Sequence, residues 1–173
     1  MELTSYIACI CEGTTEEVIM EKLLDADRLI FTRENLLENE LIRTRAADSF
    51  EKRYLRKSFR DKITVLRILD SRREKFKTSK AYKDKISAVY SVITAPEIEI
   101  LIILNEHSYD AYRRSRKKPS DFCKQDLGMG SVKNRQFVER YFSNIDDLIS
   151  AIREYRRVSD IPSGEYTLTD LLR

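Results

Sequence analysis

Residues Tyr6 to Leu24 read YIACICEGTTEEVIMEKLL, and this stretch decides the fold. Tyr6 to Cys11 is a short apolar run rich in strand-forming residues, and Gly13 follows where the chain must turn. Beyond the turn, apolar residues recur at helical spacing between charged ones, namely Val18, Ile19, Leu23 and Leu24. The pattern predicts a strand that runs directly into a helix, which is the first half of a βαβ unit.

The turn between this strand and helix contains the first candidate functional residue. Thr14 and Glu17 have the spacing of a capping box, which predicts that the helix begins at Thr14. Glu12 then lies at the carboxyl end of the strand, the edge at which open α/β sheets bind ligands. A carboxylate beside a glycine at this edge is a candidate metal ligand or general base. A solvated turn glutamate is the alternative interpretation.

The composition indicates one globular domain, or one domain with a small helical appendage. The chain has 173 residues, of which 42% are hydrophobic and 35% charged, with a net charge of only +3. Overall charge is therefore too mild to drive nucleic-acid binding, and any such affinity must come from a local basic face. No apolar run reaches the ~18–20 residues of a membrane span, and the amino-terminal segment lacks a signal-peptide pattern. We expect a soluble, cytoplasmic protein.

Several classes of chemistry have too few of the residues they require. His107 is the only histidine, so Ser–His or Cys–His nucleophilic catalysis and multi-histidine zinc sites are disfavoured. Cys9, Cys11 and Cys123 lack zinc-type spacing, and we interpret them as reduced core residues. No P-loop or dinucleotide-binding glycine motif is present. Catalysis, if the protein is an enzyme, must depend on carboxylates and a hard metal ion.

Lys62 to Asp70, KITVLRILD, is the second strong strand prediction. Its nearly continuous apolar residues are typical of a strand buried on both faces of a parallel sheet. It ends on Asp70, and the carboxyl ends of parallel strands share one edge, so Glu12 and Asp70 can meet there. Two carboxylates with water are a minimal site for Mg²⁺. The alternative is that Asp70 only caps the following element.

The remaining pattern predicts a sheet of about four strands flanked by helices, followed by a helical, basic extension. We predict further strands at 40–45 and 86–94, helices at 48–59, 75–85 and 97–105 in the α/β part, and helices at 111–118, 131–143, 145–157 and 167–172 beyond it. Residue 106 separates the α/β core, 1–106, from the extension, 107–173. No flexible linker lies between them, so we expect a single α/β domain with an elaboration.

The extension contains the strongest basic run in the chain. Five of the six residues from 113 to 118 are cations: Arg113, Arg114, Arg116, Lys117 and Lys118. Clustered cations bind nucleic-acid phosphates by releasing counterions, which makes this run and Arg73 candidate nucleic-acid contacts. A solvated helix face is the alternative interpretation.

These motifs resemble the Toprim (topoisomerase–primase) superfamily, in particular its small stand-alone proteins of the OLD-nuclease and RloB-like type. Residues 10–16, ICEGTTE, look like its strand-borne EG-x-T-E motif, and Ile68-Leu69-Asp70 looks like the strand that leads to its acidic D-x-D motif. Residues 95–99, APEIE, resemble the P-x-x-E helix start of the RloB-like group. The resemblance covers residues 5 to 106 and implies a Rossmann-like fold with a metal-dependent nuclease activity.

The resemblance also implies roles for individual residues. Glu12 would be a metal ligand or acid–base residue, and Asp70 a ligand of Mg²⁺ (or Mn²⁺), with Glu16 or Glu99 completing the site. The second D-x-D aspartate is replaced by Arg72, which weakens a two-metal mechanism, and Glu74 could substitute if the loop bends back. Arg72 is then a candidate catalytic cation that offsets transition-state charge.

Two functions remain open from the sequence. The first is a nuclease that cleaves RNA or DNA, of the type found in phage defence or RNA processing. The second is a catalytically degenerate subunit that binds nucleic acid or a partner protein, such as an ATPase, within a larger complex.

Overall fold

The computed structural model describes residues 1–173 and contains one sheet of three parallel strands. The strands are β1 (Tyr6–Cys11), β2 (Ile63–Leu69) and β3 (Ile86–Ile93), in the order β1-β2-β3. All seven residues of β2 are buried, as the apolar run predicted. The α/β class with helices around a parallel sheet is therefore confirmed, with three strands instead of about four.

Seven α-helices surround the sheet: α1 (Thr14–Asp25), α2 (Ala47–Phe50), α3 (Ile100–Asn105), α4 (Tyr109–Ser115), α5 (Pro119–Gln125), α6 (Arg135–Tyr141) and α7 (Ile145–Val158). A π-helical turn, Glu51–Leu55, continues α2, and short 3₁₀ turns lie at Arg33–Asn35, Leu37–Asn39, Lys80–Lys85 and Leu168–Leu171. The last of these replaces the helix predicted for 167–172. None of the helices is both long enough and apolar enough to cross a membrane.

Alternation along the strands divides the core between the two faces of the sheet. On the first face, Cys9, Leu66 and Val92 belong to a cluster of 32 buried residues that includes α1, α3 and α7. On the second face, Ala8 and Val65 belong to a cluster of nine, covered by α2 and its π turn. We refer to these as the large-core face and the small-core face.

The predicted strand at 40–45 is wrong. Only Ile42 pairs with β1, through a single parallel bridge to Ile10 and hydrogen bonds with Cys9 and Cys11. The charged side chains of this segment form ion pairs outside the sheet, because Arg43 binds Glu17 and Arg45 binds Glu12.

The predicted crossover helix at 75–85 is also wrong, because only Lys80–Lys85 forms a 3₁₀ turn. Five lysines and few apolar residues leave this segment without an apolar stripe that a helix could bury. Phe76 instead packs on Phe50 at a ring-centroid distance of 5.7 Å, and the backbone N–H of Ser79 donates to Glu51.

The helix predicted from Thr14 is confirmed, but its capping box is not. Gly13 is the N-cap of α1 and makes no side-chain cap bond. The Glu17 carboxylate binds Arg43 and Arg135 instead of the first-turn backbone. Ion pairs to two arginines therefore take the carboxylate away from its local capping partner.

Helices from both parts of the chain share the large core. Leu148, Ile152 and Tyr155 of α7 are buried in the same cluster as Ile100 and Ile103 of α3. The helices after residue 106 thus pack directly against those of the α/β part.

Candidate functional site

Glu12 and Asp70 both follow strands at the carboxyl edge of the sheet, but on different faces. In the register, Cys11 lies opposite Ile68, and the backbone N–H of Glu12 donates to the Ile68 carbonyl at 3.2 Å. Glu12 therefore follows its paired residue Cys11 by one position, whereas Asp70 follows Ile68 by two. Because side chains alternate along a strand, an offset of one residue puts the two carboxylates on opposite faces.

Glu12 lies on the small-core face, with a side chain that is 15% exposed. Its Oε1 atom is 3.5 Å from an Arg45 nitrogen, and its Oε2 atom is buried without any hydrogen-bond partner. Burial, then the nearby Glu74 carboxyl group, and then the charge of Asp70 raise the pKa of Glu12, while Arg45 acts to lower it. Glu12 is thus a half-satisfied acid beside a second carboxyl group.

Glu74 reaches Glu12 because the loop after Asp70 bends back over the small-core face. The Glu74 Oε2 atom accepts a hydrogen bond of 2.7 Å from Arg67 in the middle of β2. The Arg67 side chain is only 3% exposed, lies 5.4 Å from the Phe76 ring centroid, and has a buried Nε atom without a partner. The loop therefore brings a second carboxyl group, Glu74, to the Glu12 side of the edge.

Asp70 is accompanied on the large-core face by Glu16, Glu97 and Glu99. Burial and the charge of Glu97 raise the pKa of Asp70, and Lys133 opposes them. Glu16 is only 6% exposed, and burial, with the charges of Glu99, Asp70 and Glu12, raises its pKa to about 7 against a backbone hydrogen bond that lowers it.

Gly13 makes room for the Glu16 carboxylate. A Cβ atom at position 13 would lie 2.7 Å from the Glu16 Oε2 atom, closer than atoms tolerate. The Gly13 φ of −133° is accessible to any residue, so a side chain at this position would displace the Glu16 carboxylate without straining the backbone.

Glu99 is the second deeply buried carboxyl group of this face, at 3% exposed. Its Oε1 atom accepts a hydrogen bond of 3.1 Å from the Thr15 hydroxyl. Burial is the main cause that raises the pKa of Glu99. Two neighbouring residues of the EGTTE stretch, Thr15 and Glu16, therefore both lie close to the Glu99 carboxyl group.

Lys133 is a site residue that the sequence reasoning missed. Its Nζ atom is 3.3 Å from Glu97 Oε1, and the charges of Glu99, Glu97 and Asp70 raise the Lys133 pKa although burial acts to lower it. Residues 131–134, SVKN, follow a glycine-containing break and form no recognisable motif, so only the folded chain brings this cation to the acids. Arg45 was missed for the same reason.

The predicted cations have different environments. Arg72 forms a two-bond ion pair with Glu165, at 2.7 and 2.9 Å, which holds its guanidinium. Arg73 has no ion-pair partner. In the basic run, Lys117 pairs with Asp126 at 2.6 Å, whereas the other cations, Arg113, Arg114, Arg116 and Lys118, make no ion pair.

The arrangement as a whole consists of partly buried acids on both faces of the carboxyl edge, with Lys133 and Arg45 beside them. No three of these side chains converge as a ready set of metal ligands. All of the acids offer oxygen ligands, which hard divalent cations prefer. The Glu12 Oε2 atom has no hydrogen-bond partner and is therefore available as a metal ligand. To share one ion, Glu12 and Asp70 have to turn toward the edge from opposite faces.

Comparison of this chain with protein-family models, with curated proteins and with solved structures yields no match.

Proposed function

We propose that this protein is a metal-dependent nuclease of the Toprim type, which cleaves phosphodiester bonds in RNA or DNA. Glu12, Asp70, Glu16 and Glu99 would hold Mg²⁺ or Mn²⁺ at the carboxyl edge of the sheet. One observation carries this proposal: all four carboxyl groups have a raised pKa at one sheet edge, and one of them has a buried oxygen without a partner.

The raised pKa values support a cation site because their causes are burial and mutual charge. Each acid resists ionisation in a region of low dielectric and near like charges. A divalent cation reverses this balance, since its charge favours the ionised form of each oxygen ligand. A purely structural cluster would more simply be paired with arginine or lysine, and only Lys133 and Arg45 approach these acids.

Beside such an ion, cationic residues of this chain would stabilise charge and contact the substrate. A hard cation, when bound, lowers the pKa of a bound water and offsets the charge of the scissile phosphate. Lys133 supplies further positive charge beside Asp70 and Glu97. Arg73 is free to contact substrate, whereas Arg72 must first release Glu165 before it can act as the catalytic cation that the sequence suggests.

The test is cleavage of a panel of transfer RNA, single-stranded RNA and plasmid DNA with Mg²⁺ or Mn²⁺. We expect metal-dependent cleavage by the wild type and its loss in Glu12→Gln, which removes the charge and nearly keeps the shape. Glu34→Gln is the matched control, because Glu34 is exposed and forms no ion pair. Equal cleavage by wild type and Glu12→Gln would refute the assignment.

Gly13→Ala provides a second test that removes no carboxyl group from the chain. Its methyl group would push the Glu16 carboxylate out of its present position. We expect weaker Mn²⁺ binding by calorimetry and a cleavage rate at least tenfold lower, with the fold retained by circular dichroism. Ser150→Ala is the control, because Ser150 is exposed on α7 and its side chain makes no hydrogen bond. Unchanged Mn²⁺ affinity in Gly13→Ala would contradict a metal role for Glu16.

A degenerate binding subunit is the second candidate, and the free cations of the basic run favour it. Arg113, Arg114, Arg116 and Lys118 are available to phosphates without breaking an ion pair. This function predicts salt-sensitive nucleic-acid binding that Glu12→Gln leaves unchanged, and no cleavage by any variant.

A further inference from the structure

A groove of about 500 Å³ opens beside the acidic edge, between the start of α5 and the loop that leads into α6. Its lining includes Ser120, Lys124, Gly130, Ser131, Lys133 and Asn134. We call it the Lys133 groove. Lys133 belongs both to the groove and to the group of charges around Asp70, so the groove adjoins the candidate site.

Glu97 contacts both sides of the groove, Ser120 on one side and Lys133 on the other. Its Oε2 atom accepts a hydrogen bond of 2.9 Å from the backbone N–H of Ser120, and its Oε1 atom lies 3.3 Å from the Lys133 Nζ atom. Although burial acts to raise it, these bonds to Ser120 and the charge of Lys133 lower the pKa of Glu97. Glu97 therefore connects Ser120 on one side of the groove with Lys133 on the other.

The loop that carries Lys133 is anchored on both sides. Val132 is only 3% exposed and belongs to the large core. Arg135 binds Glu17 and Glu21 of α1 at 2.7 and 2.6 Å, and α1 is the helix that also carries Glu16. The position of Lys133 relative to the acidic edge is therefore held by the fold, and Lys133 is not a cation on a free loop.

The lining chemistry indicates what the groove would bind. Lys124 has no ion-pair partner, whereas Lys133 must release Glu97 before it binds a phosphate, and Asp121 is the one acid in the lining. The remaining lining residues are two serines, an asparagine, a glycine and Val132, the only hydrophobic residue. No aromatic side chain is present on which a base could stack.

We propose that the Lys133 groove binds the sugar–phosphate backbone of a nucleic-acid strand next to the scissile phosphate, without reading its bases. Lys124 and Lys133 are substrate-binding residues in this assignment, which rests on the nuclease function proposed above. Contacts to phosphates position a strand but carry no sequence information, so recognition at this groove is independent of base sequence.

The test measures binding without cleavage. Fluorescein-labelled single strands of RNA and of DNA, each in two unrelated base sequences, are titrated with the full-length protein in EDTA at several salt concentrations. We expect Lys124→Gln and Lys133→Gln each to weaken binding roughly fivefold for every sequence and to reduce the salt slope by about one. Lys83→Gln, at the opposite edge of the sheet just before β3, is the matched control and should bind as the wild type does.

Binding and cleavage together separate this proposal from the nuclease assignment. Wild-type affinity and salt slope in both lysine variants would overturn the groove assignment, even if Glu12→Gln abolishes cleavage. Weaker binding of both variants in the absence of any wild-type cleavage would support the groove and refute the nuclease. A loss of affinity that is confined to one base sequence would overturn recognition of the backbone alone. The comparison of RNA with DNA strands identifies which sugar the groove accepts.

Discussion

The Glu16 carboxyl group has a pKa of about 7 because the fold buries it and surrounds it with other acids. Its unfolded value is near 4.5, so the native chain holds a proton that the unfolded chain has lost between pH 4.5 and 7. The stability contribution of this group is therefore full below pH 4.5 and is lost as the pH rises to 7. The size of this loss is roughly 3 kcal/mol, at about 1.4 kcal/mol per pKa unit.

We predict that Glu16→Gln removes this loss. Urea unfolding in EDTA should give wild type and variant the same pH trend below pH 4.5, and a difference that grows in favour of the variant up to about pH 7. A constant offset between the two curves over this range would show that Glu16 ionises normally in the native state. The comparison measures Glu16 together with its coupling to Glu99, Asp70 and Glu12, whose charges help to raise the Glu16 pKa.

At the scale of elements, α1 and α6 are joined by a network of charges centred on Arg135. The Arg135 guanidinium binds Glu17, Glu21 and Glu139 at distances of 2.6 to 3.2 Å. Glu17 is also bound by Arg43 and is only 11% exposed in its side chain. This network holds α6 on α1 and fixes the loop that carries Lys133.

We predict that Arg135→Met destabilises the protein by roughly 1–2 kcal/mol, because the buried Glu17 and the partly exposed Glu21 lose a shared partner. Arg157→Met is the control, since its pair with Glu154 is an exposed surface pair within α7 and should contribute much less. Denaturant unfolding of both variants measures the difference. Equal, small effects would mean that the network adds nothing to the packing of α6.

The boundaries of the strands and helices show where the local sequence pattern was sufficient to predict an element. β1, β2, β3 and α7 lie within one or two residues of their predicted ranges, because each has a long and regular apolar pattern. The segments at 40–45 and 75–85 were mispredicted because their behaviour depends on partners elsewhere, namely Glu17 and Glu12 for the first, and Phe50 and Glu51 for the second.

At the scale of the whole molecule, the predicted division at residue 106 does not separate two hydrophobic cores. Ile100 and Ile103 of α3 share one buried cluster with Leu148 and Ile152 of α7. A fragment of residues 1–106 would therefore expose the face of α3 that α7 covers.

We predict that the fragment 1–106 fails to unfold cooperatively and binds a hydrophobic dye, whereas the full chain gives a single thermal transition without dye binding. The physical reason is that the free energy from burying α3 is lost while the entropy cost of ordering the sheet remains. Circular dichroism and dye fluorescence measure both properties. A fragment with a sharp transition would show that the α/β part is an independent domain.

The sequence by itself determined the α/β class, the burial of Cys9 and Cys11, and the position of Glu12 and Asp70 at the ends of strands, because strand and helix periodicities are local properties. Only the tertiary structure decided which of these side chains share a face. A register offset of one residue separates Glu12 from Asp70, and loops distant in sequence bring Glu74 and Lys133 to the edge. Strand register and loop paths depend on the packing of the whole chain, and no local pattern specifies them.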